Sequence, residues 1–283
     1  MRERDSYTLL IVGILLGVPV TFFAVENPLL FLCFVFAFGA CVGSFLNVCI
    51  YRLPLNESVV SPPSHCRACK TELSWYQNIP LLGYLMQRGQ CGTCGAKFSI
   101  RYFVVELLTG LLAVAVTWQF GPSLTTLGYF AFAAALVVIT FIDLDHQIIP
   151  DVISLPGVLA GLLFSLLSPV PTLTLWTSFI GALVGGGALL AVALGYQLLT
   201  GREGMGGGDV KLLAMIGAFL GWQAIPFTIF IASFFGSIVG VTAMIRSRAD
   251  SKLALPFGPF LSFGALAYLF IGEQLITWYL GLL

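Results

Sequence analysis

Apolar residues run through this chain in long unbroken stretches, not in the alternation of a half-buried strand or the spaced stripe of a surface helix. Stretches comparable to the roughly 20 residues that cross a bilayer core lie at about 7–25, 29–50, 102–120, 124–142, 152–168, 173–198, 209–222, 224–245 and 259–281. The pattern predicts an all-α polytopic membrane protein with about eight or nine transmembrane helices. The 209–222 stretch is the shortest, and several others carry Gly and Pro. One long polar segment breaks the series. The chain therefore divides into an N-terminal extra span over 1–27, a transmembrane helix over 28–51, a small cytoplasmic domain over 52–101 and a transmembrane core over 102–283.

Composition agrees. Of 283 residues, 58% are hydrophobic and 9% charged, against about 25% charged in an ordinary soluble domain. A soluble globule and a disordered chain are both excluded. The formal charge is zero, so nothing points to nucleic acid, and the partner of this surface is the lipid bilayer. With nine spans, all 13 basic residues fall on one side: Arg2 and Arg4; Arg52, Arg67, Lys70, Arg88, Lys97 and Arg101; Arg202 and Lys211; Arg246, Arg248 and Lys252. The opposite connections hold none, so the basic loops are expected in the cytoplasm. Trp118, Trp176, Trp222 and Trp278 fall near the predicted outer ends, as in an interfacial aromatic belt. The alternative for 7–25 is a signal peptide. That stretch is long for one, and Glu26-Asn27-Pro28 is a poor cleavage site, so an uncleaved span is expected.

The polar segment carries Cys66-Arg67-Ala68-Cys69 and Cys91-Gly92-Thr93-Cys94, two CxxC pairs 21 residues apart. One CxxC turn points two thiolates at a single ion, and two turns complete a tetrahedral four-cysteine zinc site; Gly95 suits the turn after the second pair. Two disulfides are the alternative, disfavoured on the reducing side of a membrane. Four thiolates leave no position for water, so the zinc is expected to be structural. His65 breaks the spacing and is read as surface, and Cys33, Cys41 and Cys49 as packing residues of one apolar helix.

Acidic residues beside a membrane span call for a reason. Two clusters stand out, Asp143-Leu144-Asp145-His146 followed by Pro150-Asp151, and Gly204-Met205-Gly206-Gly207-Gly208-Asp209 before Lys211. The 66-residue interval from Asp143 to Asp209 accommodates one helix out and one back, so both carboxylates return to the same membrane face. Two carboxylates sharing a site do not both ionise cheaply. One keeps a proton while the other activates water, the chemistry of an aspartic protease. Asp143, nearer the apolar helix than Asp145, is the expected partner of Asp209. Helix capping is the plain alternative for Asp143, Asp145 and Asp151 taken singly. Gly181/Gly185 and Gly236/Gly240 match GxxxG and are read as close helix packing. Leu255-Pro256-Phe257-Gly258-Pro259 is a rigid turn expected at the same mouth.

Together these motifs resemble the type IV prepilin peptidase family. Gly43-Ser44-Phe45-Leu46-Asn47-Val48, Tyr51-Arg52-Leu53-Pro54, the CxxC pairs, Ile142 to His146, Ile149-Pro150-Asp151, Gly204 to Asp209 with Lys211-Leu212-Leu213, and Pro256 to Pro259 stand in that family's order. The resemblance spans nearly everything from residue 28 onward. It implies a GxGD-type aspartyl endopeptidase of the bacterial inner membrane with Asp143 and Asp209 catalytic, and with Asp145, His146, Gly206, Gly208 and Lys211 as supporting neighbours. It implies removal of a basic leader from prepilins or pseudopilins, commonly followed by methylation of the new N-terminus from S-adenosylmethionine. Residues 1–27 depart from the family pattern. Two other classes compete: a transporter would want acids at mid-membrane, where Glu106 and Glu273 are weak candidates, and a zinc-anchored scaffold of a secretion apparatus would need the cysteines and not the aspartates.

Overall fold

The described residues, 27–201, 206–247 and 255–281 of the computed structural model, are helical almost throughout and form no strand. The extra span expected at 7–25, with Arg2 and Arg4, lies outside them, as do Arg202, Gly204, Met205, Arg248 and Lys252. The other apolar stretches fold as helices where expected. These are α1 Pro28–Arg52, then, beyond the short α2 Leu82–Met86 of the polar segment, α3 Arg101–Phe120, α4 Leu124–His146, α5 Asp151–Leu167, α6 Leu175–Thr200, α7 Gly207–Leu220 and α8 Ala224–Ser247. The last span joins α9 Gly258–Ala267 to α10 Glu273–Leu280 through a π-helical turn, Tyr268–Gly272. Among the described residues six helices are long and apolar enough to cross a membrane. With 17 and 14 residues, α5 and α7 rise only about 25 and 21 Å, short of a hydrocarbon core of about 30 Å.

The chain forms two compact units that divide between Val138 and Ile139. In the first, α1 and α3 meet along small residues. A Cβ on Gly39 would lie 2.6 Å from the Ala113 Cβ, and one on Gly43 2.8 Å from the Glu106 Cα, so the two backbones touch where no side chain fits. The Gly39-x-x-x-Gly43 signal is as plain in the sequence as the two motifs singled out above, which do not include it. Of the α1 cysteines only Cys49 is buried. Cys33 and Cys41 are exposed, so the packing role expected of them fails: they lie on the face of α1 that α3 does not cover.

The second unit is built around α7, which is packed by α5, α6, α8 and α9. Leu212, Leu213, Met215, Ile216 and Ala218 have no exposed surface. A helix apolar all round belongs inside a bundle, and neighbours on several sides allow α7 to be shorter than a lone span. Its contact with α6 is backbone on backbone. A Cβ on Gly217 would collide with the Gly181 carbonyl oxygen, and one on Gly185 with that of Leu213, while the Ser178 hydroxyl donates to the Ala218 carbonyl across the same seam. Gly181/Gly185 is thus the close-packing motif its spacing predicts. Gly236 and Gly240 are not, since a Cβ there would meet nothing nearer than 3.5 and 3.4 Å.

Candidate active site and metal centre

Asp143 lies in the last turn of α4, which ends as Gln147 takes a left-handed conformation (φ 54°) and its N–H closes on the Asp143 carbonyl at 2.9 Å. The side chain is 4% exposed. Its Oδ2 accepts the Gly258 N–H at 2.9 Å, at the point where the Pro256-Phe257-Gly258-Pro259 turn opens α9. Asp209 sits in the first turn of α7 behind Gly206, whose carbonyl accepts the Asp209 N–H at 3.2 Å. Ile149 ties these pieces together. A Cβ on Gly208 would stand 2.9 Å from the Ile149 Cβ, and one on Gly258 2.7 Å from Asp143 Oδ2 and 3.3 Å from Ile149 Cδ1. The chain thus brings Asp143, Ile149, Gly208 and Gly258 to one place, and Asp209 is the residue that follows Gly208.

The other acids of the first cluster go elsewhere. Asp145 and His146 are exposed beyond the helix face that carries Asp143. Lys211 Nζ bonds Asp151 Oδ1 at 2.6 Å, joining the start of α7 to the start of α5; both side chains are well exposed, so the pair contributes at most about 1 kcal/mol and aligns the two helix ends more than it stabilises them. Ile149 was not among the expected site residues. Its sequence signal was its place in the Ile149-Pro150-Asp151 motif of the acidic loop, which gave it no role of its own.

In the first unit the two CxxC pairs form matching turns. The Lys70 and Gly95 N–H groups bond back to the Cys66 and Cys91 carbonyls at 2.8 and 2.9 Å, and the Cys66 and Cys91 N–H groups to the Thr71 and Ala96 carbonyls at 2.9 and 2.8 Å. Gly95 takes the left-handed conformation its type suits (φ 71°), and Lys70 takes the same one (φ 59°) at a steric cost that the repeated geometry imposes. All seven cysteines are free. The four sulfurs lie within 4.8 Å of one another, with Cys66 to Cys94 at 3.8 Å and Cys69 to Cys91 at 3.9 Å. A tetrahedral shell with metal–sulfur bonds of about 2.3 Å has edges of about 3.8 Å. The cluster can therefore hold a metal ion, with no water in its shell. The Thr71 hydroxyl, then the Thr71 backbone, hold the Cys69 thiol down at about 6, so it is largely a thiolate at neutral pH. His65 is partly exposed and bonds the Pro63 carbonyl through Nδ1 at 3.0 Å.

Buried Glu106 and exposed Glu273 have local partners. Glu106 Oε2 accepts the Leu81 N–H at 2.7 Å, and Glu273 Oε1 accepts the Thr172 hydroxyl at 3.0 Å. Helix-end contacts account for both without a transport path.

A polytopic helical membrane protein with an aspartate pair at adjoining helix ends, a glycine approach and a separate four-cysteine centre is a distinctive combination. Residues 130–241 match the model of the type IV leader peptidase family, and residues 37–120 that of the bacterial peptidase A24 N-terminal domain. The chain belongs to the type IV leader peptidase family. It is 39% identical over 277 residues to the prepilin leader peptidase/N-methyltransferase of Aeromonas hydrophila, covering 89% of this chain and 95% of that one. To the protein of the same name from Neisseria gonorrhoeae it is 40% identical over 249 residues (79% and 85%), and to that from Pseudomonas aeruginosa 35% over 285 residues (93% and 98%). No solved structure matches the chain.

Proposed function

We propose that this protein cuts the basic leader from prepilins or pseudopilins at the cytoplasmic face of the bacterial inner membrane and then methylates the new N-terminus. Residues 102–283 serve as the peptidase core and 52–101 as a zinc-bearing cytoplasmic domain. The observation that carries the peptidase reading is the meeting of Asp143, Gly208 and Gly258 around Ile149, with Asp209 the next residue after Gly208. The pair shares one proton. The ionised carboxylate takes a proton from water as its oxygen attacks the scissile carbonyl, and the protonated carboxylic acid hydrogen-bonds and then protonates the carbonyl oxygen. Collapse of the tetrahedral intermediate breaks the C–N bond, and the departing amine takes a proton from the pair. Gly206 and Gly207, where an added Cβ would meet nothing nearer than 4.0 Å, present bare backbone on the approach to Asp209, where a peptide strand can lie close.

The side of the membrane follows from Arg52, Arg67, Lys70, Arg88, Lys97, Arg101 and Lys211, which flank these sites. Zinc is the metal that four thiolates at these separations suit, and it holds together a segment too small to fold reliably alone. S-adenosylmethionine supplies an electrophilic methyl group for the second step, and the amine released by cleavage receives it.

The test is leader cleavage in membranes. Asp143→Asn and Asp209→Asn should each lower the rate by about 10³-fold or more while the protein remains folded, and Asp145→Asn should stay within a few-fold of the parent. Full activity in either of the first two would end the dyad. Full activity in both, with loss only when the cysteines are replaced, would favour a scaffold.

A further inference from the structure

The short helix α2 in the polar segment is apolar on its outside. Leu82, Leu85 and Met86 stand at the i, i+3 and i+4 positions that share one helix face, and they are 55%, 56% and 67% exposed. The opposite face is the one that packs. Gly83 lies so close to the Gln77 carbonyl of the 3₁₀ turn Trp75–Asn78 that a Cβ would not fit. The Tyr84 ring centroid is 5.9 Å from that of Phe103 on α3, and Tyr84 and Gln87 help to line a cavity of about 630 Å³ shared with α1, α3 and the CxxC turns. A helix on the surface of a soluble domain turns its apolar face inwards; α2 does the reverse. We propose that Leu82, Leu85 and Met86 are seated in lipid, so that α2 is an interfacial anchor docking the cysteine-bearing segment onto the bilayer at the end where α1 and α3 leave it.

Depth is the observation that selects lipid. With 20 residues, α3 rises about 30 Å, the thickness of a hydrocarbon core, so Arg101 at its start marks one boundary of that core. The Leu81 N–H donates to Glu106 Oε2 at 2.7 Å, and Glu106 stands about 7.5 Å along α3 from Arg101. Phe103, the partner of Tyr84, stands about 3 Å along it. After leaving α1 the chain therefore returns to the level of the first two turns of α3, and α2 begins there. At that level its outer face meets acyl chains. On α3 itself Val104, Leu108 and Leu111 are exposed, so the bilayer already covers the helix against which α2 leans.

The neighbouring chemistry agrees. No residue of α2 is charged. Arg88, exposed just beyond it, has a stem long enough to keep its guanidinium among the headgroups, where anionic lipid attracts it. Exposed Trp75 and Tyr76 in the adjoining turn are the residue types of a membrane interface. So short a helix would bind a bilayer poorly alone, but α1 and α3 hold it there and make docking intramolecular. Three side chains are too few for a stable interface between two copies, which buries upwards of about 1,000 Å². A membrane-spanning substrate helix needs a partner through the depth of the bilayer, not at one rim. The anchor is independent of the peptidase and methyl-transfer chemistry.

The experiment uses the full chain, metal-loaded, in nanodiscs of phosphatidylethanolamine and phosphatidylglycerol. A trace of phospholipid carries a photoactivatable diazirine, either near the glycerol end or at the terminal methyl of one acyl chain, and adducts are located by digestion and mass spectrometry. The shallow probe should label Leu82, Leu85 and Met86 at least about fivefold more than the deep probe. Leu111, about 15 Å along α3 and near mid-membrane, should show the opposite preference. Leu82→Ser, Leu85→Ser and Met86→Ser together should cut adducts over 79–88 by about tenfold, with the metal retained and Leu111 labelled as in the parent. Metal content and melting temperature report whether the triple variant is folded; where it is not, the depth preference of the parent decides. A segment 79–88 free of adducts while Leu111 is labelled would overturn the assignment. So would an unchanged yield in the folded triple variant, or crosslinks from this face to a second copy or to a prepilin in place of lipid.

Discussion

Gly258 offers the sharpest test of the proposed active site, because an added methyl group there would act on a single atom of Asp143. A Cβ at 258 would stand 2.7 Å from Asp143 Oδ2 and 3.2 Å from its Cγ, about 0.5–0.8 Å inside ordinary van der Waals separation from the oxygen. Ile149 Cδ1 at 3.3 Å closes the other side. The carboxylate must retreat by roughly that distance, which stretches the 2.9 Å bond from the Gly258 N–H to about 3.5 Å, the limit of a useful hydrogen bond. A hydrogen bond to a charged group is worth about 1.5–3 kcal/mol, and a misplacement of about 1 Å at a reacting centre costs about 10²-fold. The two effects describe the same displacement and do not add. Gly258→Ala should therefore lower kcat/KM for leader cleavage by about 10- to 100-fold, chiefly through kcat. The fold should not suffer, because alanine at the start of a helix is at least as favourable as glycine. Gly236→Ala is the control, since nothing lies nearer than 3.5 Å to its Cβ. The assay is cleavage of a purified prepilin by protein in detergent, with melting temperatures in parallel. A folded Gly258→Ala protein that cuts at the parent rate would refute the argument that this turn seats Asp143.

Two further outcomes follow from the packing and from the cysteine centre. Gly217→Ala drives a methyl into the Gly181 carbonyl and should destabilise the second unit by about 1–3 kcal/mol, whereas Gly187→Ala, which meets nothing within 4 Å, should leave the melting temperature unchanged; equal effects would show that α6 and α7 do not touch there. Purified protein should carry one zinc per chain, lost in Cys66→Ser and Cys91→Ser by elemental analysis. Protons compete with the metal for all four thiolates, so zinc should be retained at neutral pH and released in acid. Zinc retention that does not change even in strong acid would contradict the thiolate shell.

Sequence alone determined what depends on composition, spacing and local stereochemistry. Unbroken apolar runs fix the membrane helices because a buried backbone must satisfy its own hydrogen bonds. CxxC spacing fixes the turns because a tight turn with two thiolates on one side has few solutions. GxxxG marks close approach only when a partner backbone is there to use it, which is why Gly181 and Gly185 behaved as expected and Gly236 and Gly240 did not. Tertiary structure alone decided the rest. Asp143 and Asp145 are two residues apart, and only the end of α4 and the packing of α9 bury one and leave the other exposed. Nothing local to Ile149 marks it as the residue between Gly208 and Gly258. Lys70 adopts a glycine-like conformation that its own type disfavours, because the geometry of the turn overrides local preference. The cavity beside the cysteine centre draws its walls from residues spread between Ser44 and Glu106. Such a space belongs to the packing of α1 and α3 against the polar segment, and no short window of sequence contains it.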